Sequence, residues 1–196
     1  MAKIGIFGGS FHPPHNGHLL IAQEALSAFL LDGVIWMPAN HPPHKRLASG
    51  VSDHDRIELV KAAIQDNAKF SLSLIEFERE GPSYTIDTMR ELQKENPDHE
   101  YFFIIGGDML DSLHTWHQID ELSRMVTFIA INRSGHPLNA QHNPYQAAML
   151  EVPLFDVSST LIRERVSQGK NTTYLIPERV RKQIEVKGLY GSQKSP

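Results

Sequence analysis

Lys3-Ile4-Gly5-Ile6-Phe7-Gly8-Gly9-Ser10-Phe11-His12-Pro13-Pro14-His15-Asn16-Gly17-His18 is a short apolar strand running straight into a glycine- and histidine-rich turn. An amphipathic segment from Leu19 to about Phe29 follows, so the turn stands at the head of a helix. Strand, glycine loop and helix in that order make an anion site. The glycines let backbone N–H groups approach a phosphate, and the helix N-terminus adds partial positive charge. His15 and His18 belong to that positive end, where imidazoles donate hydrogen bonds or carry charge as a phosphoryl group gains negative charge. Gly17 keeps the turn close-packed. The unit points to transfer chemistry on a nucleotide.

Outward from this unit, apolar runs recur with helical segments between them. They are Ile4 to Phe7, Val34 to Met37, Phe70 to Leu74, Tyr101 to Ile105, Val126 to Ile131, and a weaker Met149 to Val152. Several are continuously apolar, as in strands of a parallel sheet covered by helices on both faces. The expected fold is therefore α/β, a doubly wound parallel sheet with a small C-terminal helical part. Ser52-Asp53-His54-Asp55 opens a helix with an acid three residues after a capping serine, and Ile57, Val60 and Ile64 give it an apolar face. Thr85 to Glu95 makes another through Ile86, Met89 and Leu92. Pro177 starts a last helix through Val180 and Ile184, which Lys187-Gly188 terminates. Pro38 to Ser52, Glu78 to Ser83 and Asn132 to Tyr145 read as irregular loops. Loops that follow parallel strands gather at the carboxyl edge of the sheet, where ligands bind beside the topological switch point.

With 196 residues and 40% hydrophobic content, the chain can bury one sizeable core. The expected organisation is a single domain over 1–191 and a disordered tail over 192–196. A formal net charge of -4 argues against broad, sequence-independent binding of nucleic acid, which needs many phosphates neutralised by Lys and Arg. The absence of cysteine excludes disulfides, thiolate catalysis and thiolate-bound zinc. No signal-peptide pattern opens the sequence and no stretch is long enough to span a bilayer, so the reading is cytoplasmic, with no membrane partner. His12, His15 and His18 recur every three residues, which raises metal binding. Without cysteine or a His-Glu-x-x-His arrangement, a dedicated protein-bound metal is not expected.

A second constellation, Val157-Ser158-Ser159-Thr160-Leu161-Ile162-Arg163, also leads into a predicted helix. An ordinary N-cap explains one Ser or Thr there. Three hydroxyls, free backbone amides and an arginine one turn on can also grip phosphate oxygens. Between the two ends, Lys45 and Arg46 follow the second strand, Ser83-Tyr84-Thr85 presents hydroxyls and amides at a helix start, and Asp108 follows a buried strand and two glycines. Trp116, after Leu110 and Leu113, reads on its own as a core residue. Arg133 ends the fifth strand, where a cation can reach substrate.

The first motif resembles the Gly-Gly-Ser/Thr-Phe-Asp-Pro-x-His-x-Gly-His signature of the nucleotidyltransferase superfamily, and the second resembles its Ile-Ser-Ser-Thr-x-Ile-Arg motif. They stand in the right order, about 140 residues apart. Within the superfamily the chain most resembles the bacterial nicotinate-nucleotide adenylyltransferases over nearly its whole length. Pro42-Pro43-His44-Lys45, Gly81-Pro82-Ser83-Tyr84-Thr85-Ile86-Asp87-Thr88 and Phe103-Ile104-Ile105-Gly106-Gly107-Asp108 carry that narrower likeness. The resemblance implies a Rossmann-like nucleotidyltransferase fold and transfer of AMP from ATP to nicotinate mononucleotide in NAD biosynthesis, with pyrophosphate released and Mg2+ accompanying ATP.

It further implies that His15, His18 and Arg163 are catalytic. ATP would lie on Gly8, Gly9, Ser10, Phe11, His15 and His18 from the first motif, on Gly106 and Asp108, and on Ser158, Ser159, Thr160 and Arg163 from the second. Nicotinate mononucleotide would lie on Ser10, His44, Lys45, Ser83, Tyr84, Thr85, Trp116 and Arg133, with Lys45 on its phosphate and Trp116 stacked on its pyridine ring. Family members often associate in pairs, so a homodimer is the implied assembly. One position departs from the pattern: His12 stands where the family usually has aspartate. A sister adenylyltransferase acting on nicotinamide mononucleotide or phosphopantetheine shares the same catalytic ends. A non-catalytic nucleotide-binding module and a histidine metalloprotein are the alternatives from other classes.

Overall fold

The continuously apolar runs become strands β1 (Lys3–Gly9), β2 (Gly33–Pro38), β3 (Phe70–Leu72), β4 (Glu100–Gly106), β5 (Val126–Asn132) and β6 (Ala148–Glu151). In this computed structural model, which describes residues 1–40, 50–79, 83–132, 145–153 and 156–192, they form one sheet in the order β3-β2-β1-β4-β5-β6. Every neighbouring pair is parallel. Strand order reverses at β1, which pairs with β2 from Ile4↔Gly33 to Gly9↔Pro38 and with β4 from Lys3↔Glu100 to Phe7↔Ile104. The carboxyl edge between β1 and β4 is thus the switch point, and the first motif leaves β1 there.

Seven helices, α1 (Asn16–Ala28), α2 (Asp53–Ile64), α3 (Thr85–Glu95), α4 (Gly107–Leu110), α5 (Ile119–Met125), α6 (Ser159–Ser167) and α7 (Glu178–Lys187), are found among the described residues. Side chains alternate across the sheet, so β1, β2, β4 and β5 each feed two cores. Phe7, Trp36, Phe102, Ile104 and Ile129 meet Ala22 and Leu26 of α1, Leu59 and Val60 of α2, Ile162 of α6, and Val180 and Ile184 of α7. On the opposite face Ile6, Met37, Tyr101, Phe103, Ile105 and Phe128 meet Ile86, Met89 and Leu92 of α3 and Leu122 of α5. The expected doubly wound sheet is present, and its C-terminal helices α6 and α7 share a face with α1 and α2.

The signals at the helix ends act as expected. Ser52 caps α2: its Oγ accepts from the Asp55 N–H at 3.1 Å and donates to Asp55 Oδ2 at 2.6 Å. Gly188 ends α7 with φ of 66°, a left-handed conformation that glycine adopts without a Cβ penalty. Two details differ from the sequence reading. The buried stripe of α2 runs through Arg56, Leu59, Val60 and Ala63, while Ile57 is only partly buried. The run from Phe70 is extended only to Leu72, and Leu74 already precedes a 3₁₀ turn at Ile75–Phe77. At the C-terminal end Ser192 donates from its Oγ to Ile184 O at 2.9 Å, and residues 193–196 lie outside the described residues.

Candidate active site

The helix after β1 begins earlier than the apolar period alone indicates, at Asn16, and this puts both histidines into its first turn. His15 is the N-cap, with φ of -143° and ψ of 169°, and His18 is the third helical residue. The two rings cap reciprocally. His15 Nδ1 accepts from the His18 N–H at 3.3 Å, and His18 Nδ1 accepts from the His15 N–H at 3.2 Å. Their planes stack, with centroids 3.5 Å apart at 23°. Because each Nδ1 is an acceptor, each neutral ring carries its proton on Nε2. The His18 ring also rests edge-on against Phe11 at 5.1 Å. Both imidazoles are therefore fixed in rotation at the positive end of α1.

The second motif is bound directly to the first. Ser159 Oγ donates to Pro13 O at 2.8 Å and Arg163 Nη1 donates to His12 O at 2.7 Å, across 146 and 151 residues of sequence. Arg163 Nη2 reaches Thr160 Oγ1 at 3.1 Å. Ser158 is the N-cap of α6, its Oγ accepting from the Leu161 N–H at 3.2 Å. The three hydroxyls thus hold the protein's own groups, and the first-turn amides of α6 together with the guanidinium are its anion-directed features. Gly17 is where the motifs touch. A Cβ there would lie 2.9 Å from Val157 Cγ1 and 3.1 Å from His15 Nδ1, so no larger residue fits without moving one of them.

Within the loop, the Phe11 side chain turns inward. It is 1% exposed and packs on Trp36 at 5.0 Å and Phe7 at 5.4 Å, with φ of 43°. Its backbone, not its ring, faces the loop. His12 is buried too, edge-on to Tyr190 at 5.0 Å, and among the described residues neither His12 Nε2 nor the Tyr190 hydroxyl has a hydrogen-bond partner. Burial, with Arg163 and Arg56 adding to it and Asp53 opposing, lowers the His12 pKa to about 4. His12 is therefore a neutral packing group at physiological pH, and its side chain does not line the site.

Beyond β4, the Asp108 carboxylate folds back over Gly106, taking the place a Cβ would occupy. Tyr84, the N-cap of α3, makes no side-chain capping bond to the first turn among the described residues. Ser83 and Thr85 are partly buried there, and Tyr84 stacks on His117 with centroids 4.5 Å apart. Trp116 is half-buried and meets Phe103 at 5.8 Å and Phe128 at 6.2 Å, both edge-on. His44, Lys45 and Arg133 lie outside the described residues. Gly8 and Gly9, read from the sequence as part of the loop, are instead the last two residues of β1, paired with Met37 and Pro38, and the turn to α1 starts at Ser10. Among the described residues no three His, Asp or Glu side chains converge to hold a metal ion, and no helix is long and apolar enough to cross a membrane.

Sequence reasoning passed over Arg56, Tyr190 and His117. Arg56 left a signal: it precedes Leu59, Val60 and Ala63 by 3, 4 and 7 residues, a charge in register with a buried stripe. Its guanidinium reaches the first motif, donating to Ser10 O at 3.0 Å.

The cytidylyltransferase-like family model matches residues 6–165. The chain is 48% identical to the nicotinate-nucleotide adenylyltransferase of Bacillus subtilis (strain 168) over 192 residues, covering 98% of this chain and 100% of that protein. It is also 48% identical over 195 residues to a Geobacillus thermodenitrificans (strain NG80-2) protein described as a probable nicotinate-nucleotide adenylyltransferase, covering 100% of this chain and 89% of that one. In fold it is similar to the Plasmodium falciparum nicotinic acid mononucleotide adenylyltransferase complexed with NaAD, with a TM-score of 0.83, 18% identity and full coverage of both chains.

Proposed function

The chain belongs to the nicotinate-nucleotide adenylyltransferases of the cytidylyltransferase-like family, and we propose that its site joins ATP to nicotinate mononucleotide. A phosphate oxygen of the mononucleotide attacks the α-phosphorus of ATP, and the bond from that phosphorus to the oxygen bridging to the β-phosphate breaks. Nicotinate adenine dinucleotide and pyrophosphate leave. The nucleophile arrives ionised, so no proton transfer is required, and the work is to align two anions that repel each other.

The observation that carries this reading is the reciprocal His15–His18 cap bound to the start of α6. It supports a clamp in which both Nε2–H groups point their donors at the triphosphate, while Arg163 and the first-turn amides of α6 take the leaving pyrophosphate. Asp108 and Gly106 hold the nucleotide at the end of β4. Ser83, Tyr84 and Thr85 offer amides to the nicotinate carboxylate, and Trp116 stacks on the ring. Lys45, His44 and Arg133, which follow β2 and β5 in sequence and lie outside the described residues, are assigned to the mononucleotide by the family resemblance. A magnesium ion would arrive on ATP, and Asp108, the carboxylate at the end of β4, would help hold it. Such an ion, when bound, neutralises phosphate charge.

His18→Ala tests the clamp. Removing one transition-state donor costs about 2.7–4 kcal/mol, so the turnover number for pyrophosphate release should fall roughly 10²- to 10³-fold. An unchanged turnover number would remove His18 from the reaction.

A further inference from the structure

Two buried charges of opposite sign stand behind the site and belong to none of the groups described as touching substrate. Arg56, in the first turn of α2, is 0% exposed. Its Nη1 donates to Ser10 O at 3.0 Å and its Nη2 to Ala39 O at 2.9 Å, while Asp53 Oδ1 accepts from Nη2 at 2.7 Å and from Nε at 3.2 Å. Ser10 and Ala39 are the first residues past the ends of β1 and β2. One planar fork therefore holds two loop backbones where the strands stop pairing. The Phe77 ring lies 5.7 Å from the guanidinium carbon.

Phe77 belongs to the 3₁₀ turn that also carries Glu76, which is 8% exposed. Glu76 Oε2 accepts from the Asn40 N–H at 3.3 Å, and the Glu76 carbonyl oxygen accepts from Asn40 Nδ2 at 3.2 Å. Just past the same 3₁₀ turn, Arg79 Nη2 donates to Thr88 Oγ1 in the first turn of α3. Ala39 and Asn40 are consecutive, so Arg56 and Glu76 grip adjacent residues of one strand end. A polar path runs from Ser10, through Arg56, Ala39, Asn40 and Glu76, into the 3₁₀ turn and on through Arg79 to Thr88. Its ends are the triphosphate loop and the turn that opens α3.

Buried charges of this kind are poor sources of net stability, since apolar residues of similar volume often do as well or better. An apolar side chain cannot bind two carbonyl oxygens on different loops at once, and a lysine ammonium lacks the planar fork that spans them. We propose that Arg56 and Glu76 are positioning residues for the adenylyl transfer, a buried brace that sets the distance between the ATP half and the acceptor half of the site. The inference rests on the adenylyltransferase reading. Arg56 fixes the loop that carries the triphosphate, and Glu76 fixes the 3₁₀ turn after which Arg79 holds the first turn of α3.

The test is steady-state pyrophosphate release by the full chain, varying ATP and nicotinate mononucleotide separately, with thermal melting of each variant. Arg56→Lys should lower kcat about 10²-fold while leaving the ATP KM within about threefold, the size of loss expected from a misplacement near 1 Å. Glu76→Gln keeps the side-chain size and one acceptor oxygen. It should raise the KM for nicotinate mononucleotide roughly tenfold, about 1.4 kcal/mol, and leave the ATP KM unchanged. If Arg56→Lys does not fold, Glu76→Gln and Asn40→Ala decide, with the same acceptor-only rise expected. The brace is overturned if the folded Glu76 variant keeps every parameter within about twofold, or if both KM values rise together in step with a falling Tm. A wild-type chain inert toward nicotinate mononucleotide would instead overturn the underlying reading.

Discussion

His12 shows how one residue changes meaning between sequence and structure. In sequence it is one of three histidines at regular spacing in a phosphate loop. In the structure it is 2% exposed, packed on Tyr190, and held neutral with a pKa near 4. The unfolded chain takes up a proton as pH falls below about 6.5, whereas the folded chain resists until about 4, so the unfolded state binds more protons between those values. Stability contributed by neutral His12 is present above about pH 6.5, declines through that window and levels off below about 4. The full difference is on the order of 3 kcal/mol. Urea unfolding at pH 7 and pH 4.5 should show His12→Asn losing distinctly less stability than wild type over that step. Equal losses would mean that His12 does not titrate as a buried base. His15 and His18 in the same loop are bound differently, each Nδ1 accepting from the other's backbone N–H, and their proposed work is at the triphosphate.

At the scale of elements, α3 was legible to its ends because Ile86, Met89 and Leu92 repeat at helical spacing and all three are buried. α4 and α5 were not, at 4 and 7 residues, since neither is long enough to display a period. α2 is legible as a helix, and Val60 and Ile64 are buried as its spacing indicates, but Arg56 is buried where Ile57 is only partly so, a charge in a position that a hydrophobic pattern assigns to an apolar residue. The contact between α1 and the segment before α6 gives a sharp prediction. Gly17→Ala would stabilise α1 by about 1 kcal/mol on helix propensity alone. The added methyl meets Val157 Cγ1 at 2.9 Å and His15 Nδ1 at 3.1 Å, and overpacking of this kind costs about 1–3 kcal/mol. The net effect should be destabilisation of about 1 kcal/mol, with a fall in turnover as His15 shifts. Adding Val157→Ala should return part of the activity. A Gly17→Ala variant more stable than wild type, with full activity, would show that the two motifs are not in register contact.

Across the whole molecule, the sheet order puts β1 and β4 side by side and thereby gathers residues from every third of the sequence at one edge. The two motifs were readable as chemistry because glycines, histidines and an arginine at helix starts have few other purposes together. Their mutual support was not readable. Ser159 bound to Pro13, Arg163 bound to the His12 carbonyl, and the Arg56 fork on Ser10 and Ala39 are all consequences of tertiary packing between segments far apart in sequence. The proposed reaction at this edge is adenylylation of a pyridine nucleotide whose carboxylate meets the start of α3. The direct measurement is pyrophosphate release from ATP with nicotinate mononucleotide, its amide and phosphopantetheine compared as acceptors. Recognition of a charged group by buried donors should favour the acid over the amide by about 10²-fold or more in kcat/KM, with no turnover of phosphopantetheine. Equal rates on acid and amide, or faster turnover of phosphopantetheine, would contradict it.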